Sequence, residues 1–157
     1  VAGSDLVHVT ARADYAIRAV VQLASIEPDT ATRHQLAEAQ DIPGKFLETI
    51  LSDLRRAGIL EAHRGATGGY RLTSPPERIV LADVVRATEG PLAAVRGMPP
   101  EDIEYPGPAR PLTQIWVAVR ASLREVLEAV TVADILSGSL PDHVTGLLAR
   151  PDSWERR

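Results

Sequence analysis

The sequence predicts a mostly helical fold carrying one small β-hairpin and a long helix towards its C-terminus, and three observations carry that prediction. Residues 33–57 hold two amphipathic helical patterns separated by Asp41-Ile42-Pro43-Gly44. Residues 59–73 hold two short strand-like runs around the turn Arg64-Gly65-Ala66-Thr67-Gly68-Gly69. From Leu112 to Val130, apolar side chains recur at helical spacing for about five turns. A helix-turn-helix followed by a glycine-tipped hairpin is a winged helix, so the expected architecture is a winged helix-turn-helix domain followed by a long C-terminal helix.

Taken in order, residues 1–8 show no period, with Gly3, Ser4 and Asp5 in a loose end. The opening Val1 suggests trimming. Residues 10–25 place Ala13, Ile17, Val20, Val21 and Ala24 on one helical stripe, with Arg12 and Arg18 off it. Thr32-Arg33-His34-Gln35 reads as a capping box, the Thr32 hydroxyl taking the Gln35 amide while the Gln35 side chain reaches back. The helix it starts buries Leu36, Ala37 and Ala39. It stays about two turns long because Pro43 disfavours a helical residue before it. Phe46, Leu47, Ile50, Leu51, Leu54 and Ala57 then form the apolar side of the next helix, which Gly58 ends.

Residues 59–63 and 70–73 are the expected strands, and the glycines between them supply positive backbone angles. Thr73-Ser74-Pro75-Pro76 closes the wing, since it continues neither a helix nor a central strand. A further helix is expected at 79–89, with Ile79, Leu81, Val84, Val85 and Ala87 buried and Gly90 as its stop. Six of the twelve prolines fall between Pro91 and Pro111, beside Glu101, Asp102 and Glu104, which predicts an ordered but irregular arm. Pro111 suits a first helical position. The stripe beyond it comprises Leu112, Ile115, Trp116, Val119, Leu123, Val126, Leu127 and Val130. Thr131 caps a short helix at 132–137, and the tail from Gly138 is expected to be loosely held. The expected organisation is a winged helix-turn-helix domain at 9–90, an arm at 91–110, the long helix with its short successor at 111–137, and a tail at 138–157.

Composition narrows the function. The sequence has no cysteine, which removes disulfides, thiolate catalysis and thiolate metal sites and is compatible with a reducing cytoplasm. His8, His34, His63 and His143 are scattered without metal-ligand spacing. No apolar run approaches the roughly 20 residues of a membrane span, and no export signal is visible. A net charge of −4 is unusual for a nucleic-acid binder. Residues 33–71 nevertheless carry six Lys or Arg against five Asp or Glu, leaving −5 for the rest. The second helix exposes Lys45, Glu48, Thr49, Ser52, Asp53, Arg55 and Arg56, donors and acceptors that suit base edges and phosphates as well as solvent.

The run Ile42-Pro43, Phe46-Leu47-Glu48-x-Ile50-Leu51-x-x-Leu54-Arg55-x-x-Gly58-Ile59-Leu60, Arg64-Gly65-x-x-Gly68-Gly69-Tyr70-Arg71-Leu72 resembles the bacterial IscR/NsrR/CymR regulators of the Rrf family. Ala13-Asp14-Tyr15-Ala16-Ile17-Arg18-Ala19 before it agrees. So do Pro75-Pro76-Glu77-Arg78-Ile79-x-Leu81-x-Asp83-Val84-Val85-x-Ala87-x-Glu89-Gly90 after it, and the resemblance spans residues 9–137. It implies a cytoplasmic, homodimeric, sequence-specific repressor acting on a double-stranded DNA operator. The matching DNA-contacting positions are Lys45, Glu48 and Thr49 on the recognition helix and Arg64 on the wing; Ser52 and Arg55 on the same helix and Thr67, Gly68 and Tyr70 on the wing complete the candidate DNA-binding set.

By the same resemblance, the first helix meets the partner subunit and the 112–130 stripe pairs across a two-fold axis, making it the dimerisation helix. Asp14 stands where the family's nitric-oxide sensor uses an aspartate as a cluster ligand, and the cluster cysteines of other relatives fall in the arm. Here that arm reads Leu92-Ala93-Ala94-Val95-Arg96-Gly97-Met98, so no cofactor is expected and Asp14 reads as a first-turn carboxylate. Two readings of the arm stand side by side: a receiver where a small molecule or protein effector docks at Arg96, Tyr105 and Trp116, and a purely structural strap in a constitutive regulator.

Two other function classes compete. Gly65-Ala66-Thr67-Gly68-Gly69 has the composition of a phosphate loop, but such a loop leads from a strand into a helix and ends in Gly-Lys-Ser/Thr, whereas this one joins two strands. An enzyme is therefore not expected. A winged-helix protein-interaction adaptor without DNA binding is the alternative, and DNA affinity that falls steeply with salt separates the two.

Overall fold

In the computed structural model, which describes residues 8–156, helix α1 (Ala11–Ser25) is started by the Thr10 hydroxyl, which accepts from the Ala13 amide at 3.0 Å. Its buried side is Ala13, Ala16, Ala19, Val20, Leu23 and Ala24. The expected stripe is thus rotated, with Ile17 and Val21 only half-buried, because the small alanines let α1 lie close against several helices at once. The loose end expected at 1–8 falls, apart from His8, outside the described residues.

Helix α2 (Arg33–Gln40) begins with the full capping box, Gln35 N to Thr32 Oγ1 at 3.2 Å and Thr32 N to Gln35 Oε1 at 2.8 Å. Only Leu36 is fully buried on it, and Ala39 is exposed, contrary to the sequence pattern. Asp41 takes a left-handed conformation and turns the chain, and Ile42 inserts into the core before α3 (Gly44–Arg56). Leu47, Ile50, Leu51 and Leu54 are completely buried there. Phe46 and Ala57, placed on the buried side from spacing, are exposed; Phe46 lies against the Tyr15 ring instead, with centroids 5.9 Å apart.

Strands β1 (Leu60–His63) and β2 (Gly69–Leu72) pair antiparallel with Leu60 opposite Leu72, both buried against the helices. Gly65 and Gly69 have φ of 109° and 146°, angles that side chains rarely adopt. A Cβ on Gly69 would meet the Ala31 backbone at 2.6 Å. That close approach allows Tyr70 and Ala31 to exchange two backbone hydrogen bonds, at 2.7 and 3.1 Å. The wing is thereby tied to the start of α2.

Helix α4 (Leu81–Glu89) starts two residues later than the periodicity implies, because Ile79 and Val80 are extended and carry backbone bonds to the segment after α5 (Leu112–Leu127). The Leu81 amide donates to Val130 O at 3.0 Å and the Val132 amide to Ile79 O at 2.9 Å. Val130 is consequently internal, 4% exposed, and does not belong to the outward stripe. Helix α6 (Val132–Ser137), capped by Thr131 and Asp134 as expected, returns the chain onto α1. Gly90 ends α4.

The arm is irregular, with 3-10 turns at Pro100–Asp102 and Gly107–Ala109. Thr113 Oγ1 donates to Ile103 O at 2.7 Å and Arg120 to Glu101 at 2.7 Å, fastening the arm to α5. The tail departs from expectation. It forms α7 (Asp142–Leu148), with Val144 buried and His143 bonded to the Glu125 carbonyl, followed by a 3-10 turn at Pro151–Trp154. Gly138 stops α6, Pro141 and Asp142 start α7 and Pro151 starts the last turn, so these residues punctuate ordered elements. None of the described helices is long and apolar enough to cross a membrane.

Candidate nucleic-acid interface

Packing of α3 through Leu47, Ile50, Leu51 and Leu54 leaves its opposite side in solvent, where Lys45, Glu48, Thr49, Ser52, Arg55 and Arg56 are all exposed. The side chains of Lys45, Arg55 and Arg64 make no hydrogen bond or ion pair among the described residues, so three cations of the helix face and wing are free to meet phosphate or a base edge. Gly68 cannot be larger, since a Cβ there would sit 2.6 Å from the His63 carbonyl oxygen. Thr67 is exposed at the wing tip, its carbonyl accepting from the Thr30 hydroxyl at 2.7 Å. Tyr70 is different: its ring packs against the core and its backbone is used in the bridge to Ala31, so only part of it faces outward.

Two expected DNA-reading positions are engaged within the chain. Glu48 Oε2 lies 3.0 Å from Arg33 Nη1 of α2, so its charge is partly compensated before any DNA arrives. A carboxylate on this face therefore has a partner without any base donor. Thr49 accepts from Arg12 Nη1 at 2.8 Å and donates to Phe46 O at 3.1 Å.

Sequence reasoning missed the role of Arg12, which lay off the apolar stripe of α1. Its guanidinium bonds Asp53 and Thr49 on α3 and donates to Thr88 O at 3.2 Å at the end of α4. Glu89 lies 4.0 Å away on its other side. Such a five-donor fork is the one side chain able to clamp α3 to α1 and α4 simultaneously. Only the long-range approach of α1 and α3 reveals it. Asp53, counted with the exposed readers, is held in this clamp and also by Arg56 at 3.0 Å.

On the wing, Glu61 is held below the usual carboxylate range by its hydrogen bond to His63 and then by that to Arg71 across the hairpin. Asp14 pairs with Arg18 one turn on, at 3.2 Å, consistent with a first-turn helix carboxylate. Away from the DNA face, Trp116 Nε1 donates to Tyr105 OH at 3.1 Å, while Arg96 sits on the exposed turn closed by Val95 and Met98 with φ of 52°. The structure thus joins Tyr105 to Trp116 and leaves Arg96 outside that pair. Of the stripe on α5, Leu112 and Ile115 are exposed and Trp116, Val119, Leu123, Val126 and Leu127 half-buried.

The arrangement of helices and wing is shared with proteins of known family. The family described as "Rrf2: Iron-dependent Transcriptional regulator" matches residues 9–138. Rv1287 of Mycobacterium tuberculosis (strain ATCC 25618 / H37Rv), named as a candidate HTH-type transcriptional regulator, is 47% identical over 140 residues, covering 88% of this chain and 87% of its own length. The HTH-type transcriptional regulator CymR of Bacillus subtilis (strain 168) is 31% identical over 130 residues, covering 82% of this chain and 89% of its own. The solved structure of CymR, the global cysteine regulator of B. subtilis, superposes with a TM-score of 0.69 at 30% identity over 83% of this chain and 97% of that one. The structure of T. potens IscR gives 0.68 at 28% identity, covering 84% and 88%.

The family description names iron. The donor set of this chain does not fit a thiolate-held cluster, because the sequence has no cysteine and no group of three or more His, Asp or Glu among the described residues is placed to hold a metal. By its sequence match, fold and DNA-reading elements, the chain belongs to the Rrf2 family of winged helix-turn-helix transcriptional regulators, which are DNA-binding proteins rather than enzymes.

Proposed function

We propose that this regulator acts as a cytoplasmic homodimeric repressor, pairing through α5 and reading its operator with α3 in the major groove and the wing in the adjacent minor groove. The observation that carries the pairing is α5 itself: sixteen residues with an apolar stripe and not one buried side chain. A helix of this kind gains its stability from a second surface, and a two-fold axis supplies one. Two recognition helices then address half-sites about one helical turn apart, ~34 Å. In each subunit, Lys45 and Arg55 of α3 and Arg64 of the wing provide the free charges, Ser52 and Thr67 neutral donors, and Arg12 fixes the angle of α3 through Thr49 and Asp53. The absence of thiolates supports a regulator whose DNA affinity is indifferent to nitric oxide and thiol oxidants.

The test is selection of genomic fragments by the purified protein, followed by binding at graded salt. Lys45→Ala and Arg64→Ala should each weaken binding and reduce the salt slope by about one, and Arg64→Ala should lose most at narrow A·T-rich grooves. Glu48→Ala should relax one position per half-site by ~1–3 kcal/mol. An unchanged motif, with tighter non-specific binding by the released Arg33, would assign Glu48 to its ion pair instead. No salt dependence at all would refute DNA recognition by this surface.

A further inference from the structure

A cavity of about 180 Å³ lies where the start of α1, the end of α4, the first residues of the arm and the C-terminal half of α5 converge. Its walls are apolar, chiefly Val9, Ile17, Val85, Leu92, Leu123 and Leu127. None of Arg96, Tyr105 and Trp116 lines it. In size it is close to the apolar cavities of about 150 Å³ that take up benzene, but it is a cleft with one side open to solvent. Its one acidic lining residue is Glu89. That carboxylate accepts from the Thr10 hydroxyl at 2.9 Å, but its nearest cation, Arg12, stands off at 4.0 Å and is bonded to α3. The acid thus has one hydrogen bond and one long ion pair at the edge of an apolar space that His8 also lines, where low dielectric strengthens any charge pair.

We infer that this cavity is a binding site for a small apolar amine, with the ammonium on Glu89 and the hydrocarbon part among Val85, Leu92, Leu123 and Leu127. The last two are half-buried members of the α5 stripe on its edge towards α1 and α4, away from the exposed Leu112 and Ile115. The site is joined to the recognition helix by the same residue pair: an ammonium on Glu89 takes over the charge that Arg12 shares between Glu89 and the Thr49–Asp53 side of α3. A ligand that alters this sharing changes the hold on α3, and by linkage DNA and ligand alter one another's affinity. The effect on operator binding rests on the DNA-reading role of α3 proposed above. Binding of the amine does not.

The experiment uses 2-phenylethylamine, with 2-phenylethanol as its neutral counterpart and 3-phenylpropionate as its anionic one, by calorimetry and amide-resolved NMR on the full chain without DNA. The expected result is saturable binding of the amine, tighter than the alcohol by about tenfold, with the carboxylate weakest. Glu89→Gln should remove the preference for the amine, and Ala94→Phe, on a half-buried lining position of the arm, should block all three while the circular dichroism spectrum is kept. Amide shifts should extend to Thr49 and Asp53, which lie outside the cavity. Absence of saturable binding would overturn the site; so would an amine preference that survives Glu89→Gln. Shifts confined to the lining would overturn its coupling to α3. Loss of dimer affinity in Ala94→Phe, without ligand binding by the parent protein, would give the cavity to the subunit interface. A protein that binds the amine but no DNA would leave the site standing and refute only the operator reading.

Discussion

Helices α3 and α5 have similar apolar periodicity and opposite fates. On α3, Leu47, Ile50, Leu51 and Leu54 are completely removed from solvent; on α5, Leu112 and Ile115 are exposed and no residue is fully buried. The difference lies in the surroundings. α3 is enclosed by α1, α2, α4 and β1, whereas α5 touches mainly the arm turn at Pro100–Asp102 and the end of α4. An apolar stripe states that a helix has something to bury, and only the neighbours decide whether one chain is enough.

The comparison breaks most sharply at Leu54, fully enclosed in the core. Leu54→Ala should cost ~2–5 kcal/mol by lost burial and the cavity left behind, read as a lower midpoint in chemical denaturation; a change below 1 kcal/mol would mean that α3 repacks freely. For α5 the consequence should appear in assembly, not in folding. Ile115→Glu with Val119→Glu should leave the helical circular dichroism intact and give monomers by light scattering. Persistent dimers would place the interface elsewhere.

Smaller effects sharpen the picture of what orients α3. Thr32→Ala removes the cap that fixes the start of α2, and should lower stability by ~1 kcal/mol without changing the oligomeric state; Thr32→Ser should restore it. On the wing the expected change is smaller still. Glu61 is held below the normal carboxylate range by His63 and Arg71, so its pairing contributes above the unfolded-state value and is lost as pH falls through the depressed folded-state value. NMR titration of the hairpin should therefore show Arg71 released only in acid below the ordinary Glu range. An unshifted Glu61 titration would show the cross-strand pair to be too solvated to matter.

Most of the winged domain was legible in the sequence because its signals are local. The Thr32 box, the Asp41-Ile42-Pro43-Gly44 break, the hairpin glycines and the Thr131 cap each act within a few residues, and each stands where expected. Readings failed where distance along the chain was the deciding variable. Ile79 and Val80 leave the helical pattern to bond the segment at Val130 and Val132, which also withdraws Val130 from the outward stripe. Phe46 follows the apolar period of α3 yet remains 49% exposed, because Tyr15 meets its ring at the surface.

The candidate DNA face divides in the same way. Period and composition alone put Lys45, Ser52, Arg55 and Arg64 on exposed positions of α3 and the wing, and the lack of cysteine alone excluded a thiolate-held cluster. The pairing of Glu48 with Arg33, the clamp of Arg12 on Thr49 and Asp53, and the cavity beside Glu89 depended on tertiary structure. Each joins residues on different helices, and neither spacing nor propensity encodes how close two helices come; that is set by how the alanines of α1 and the leucines of α3 fill space together.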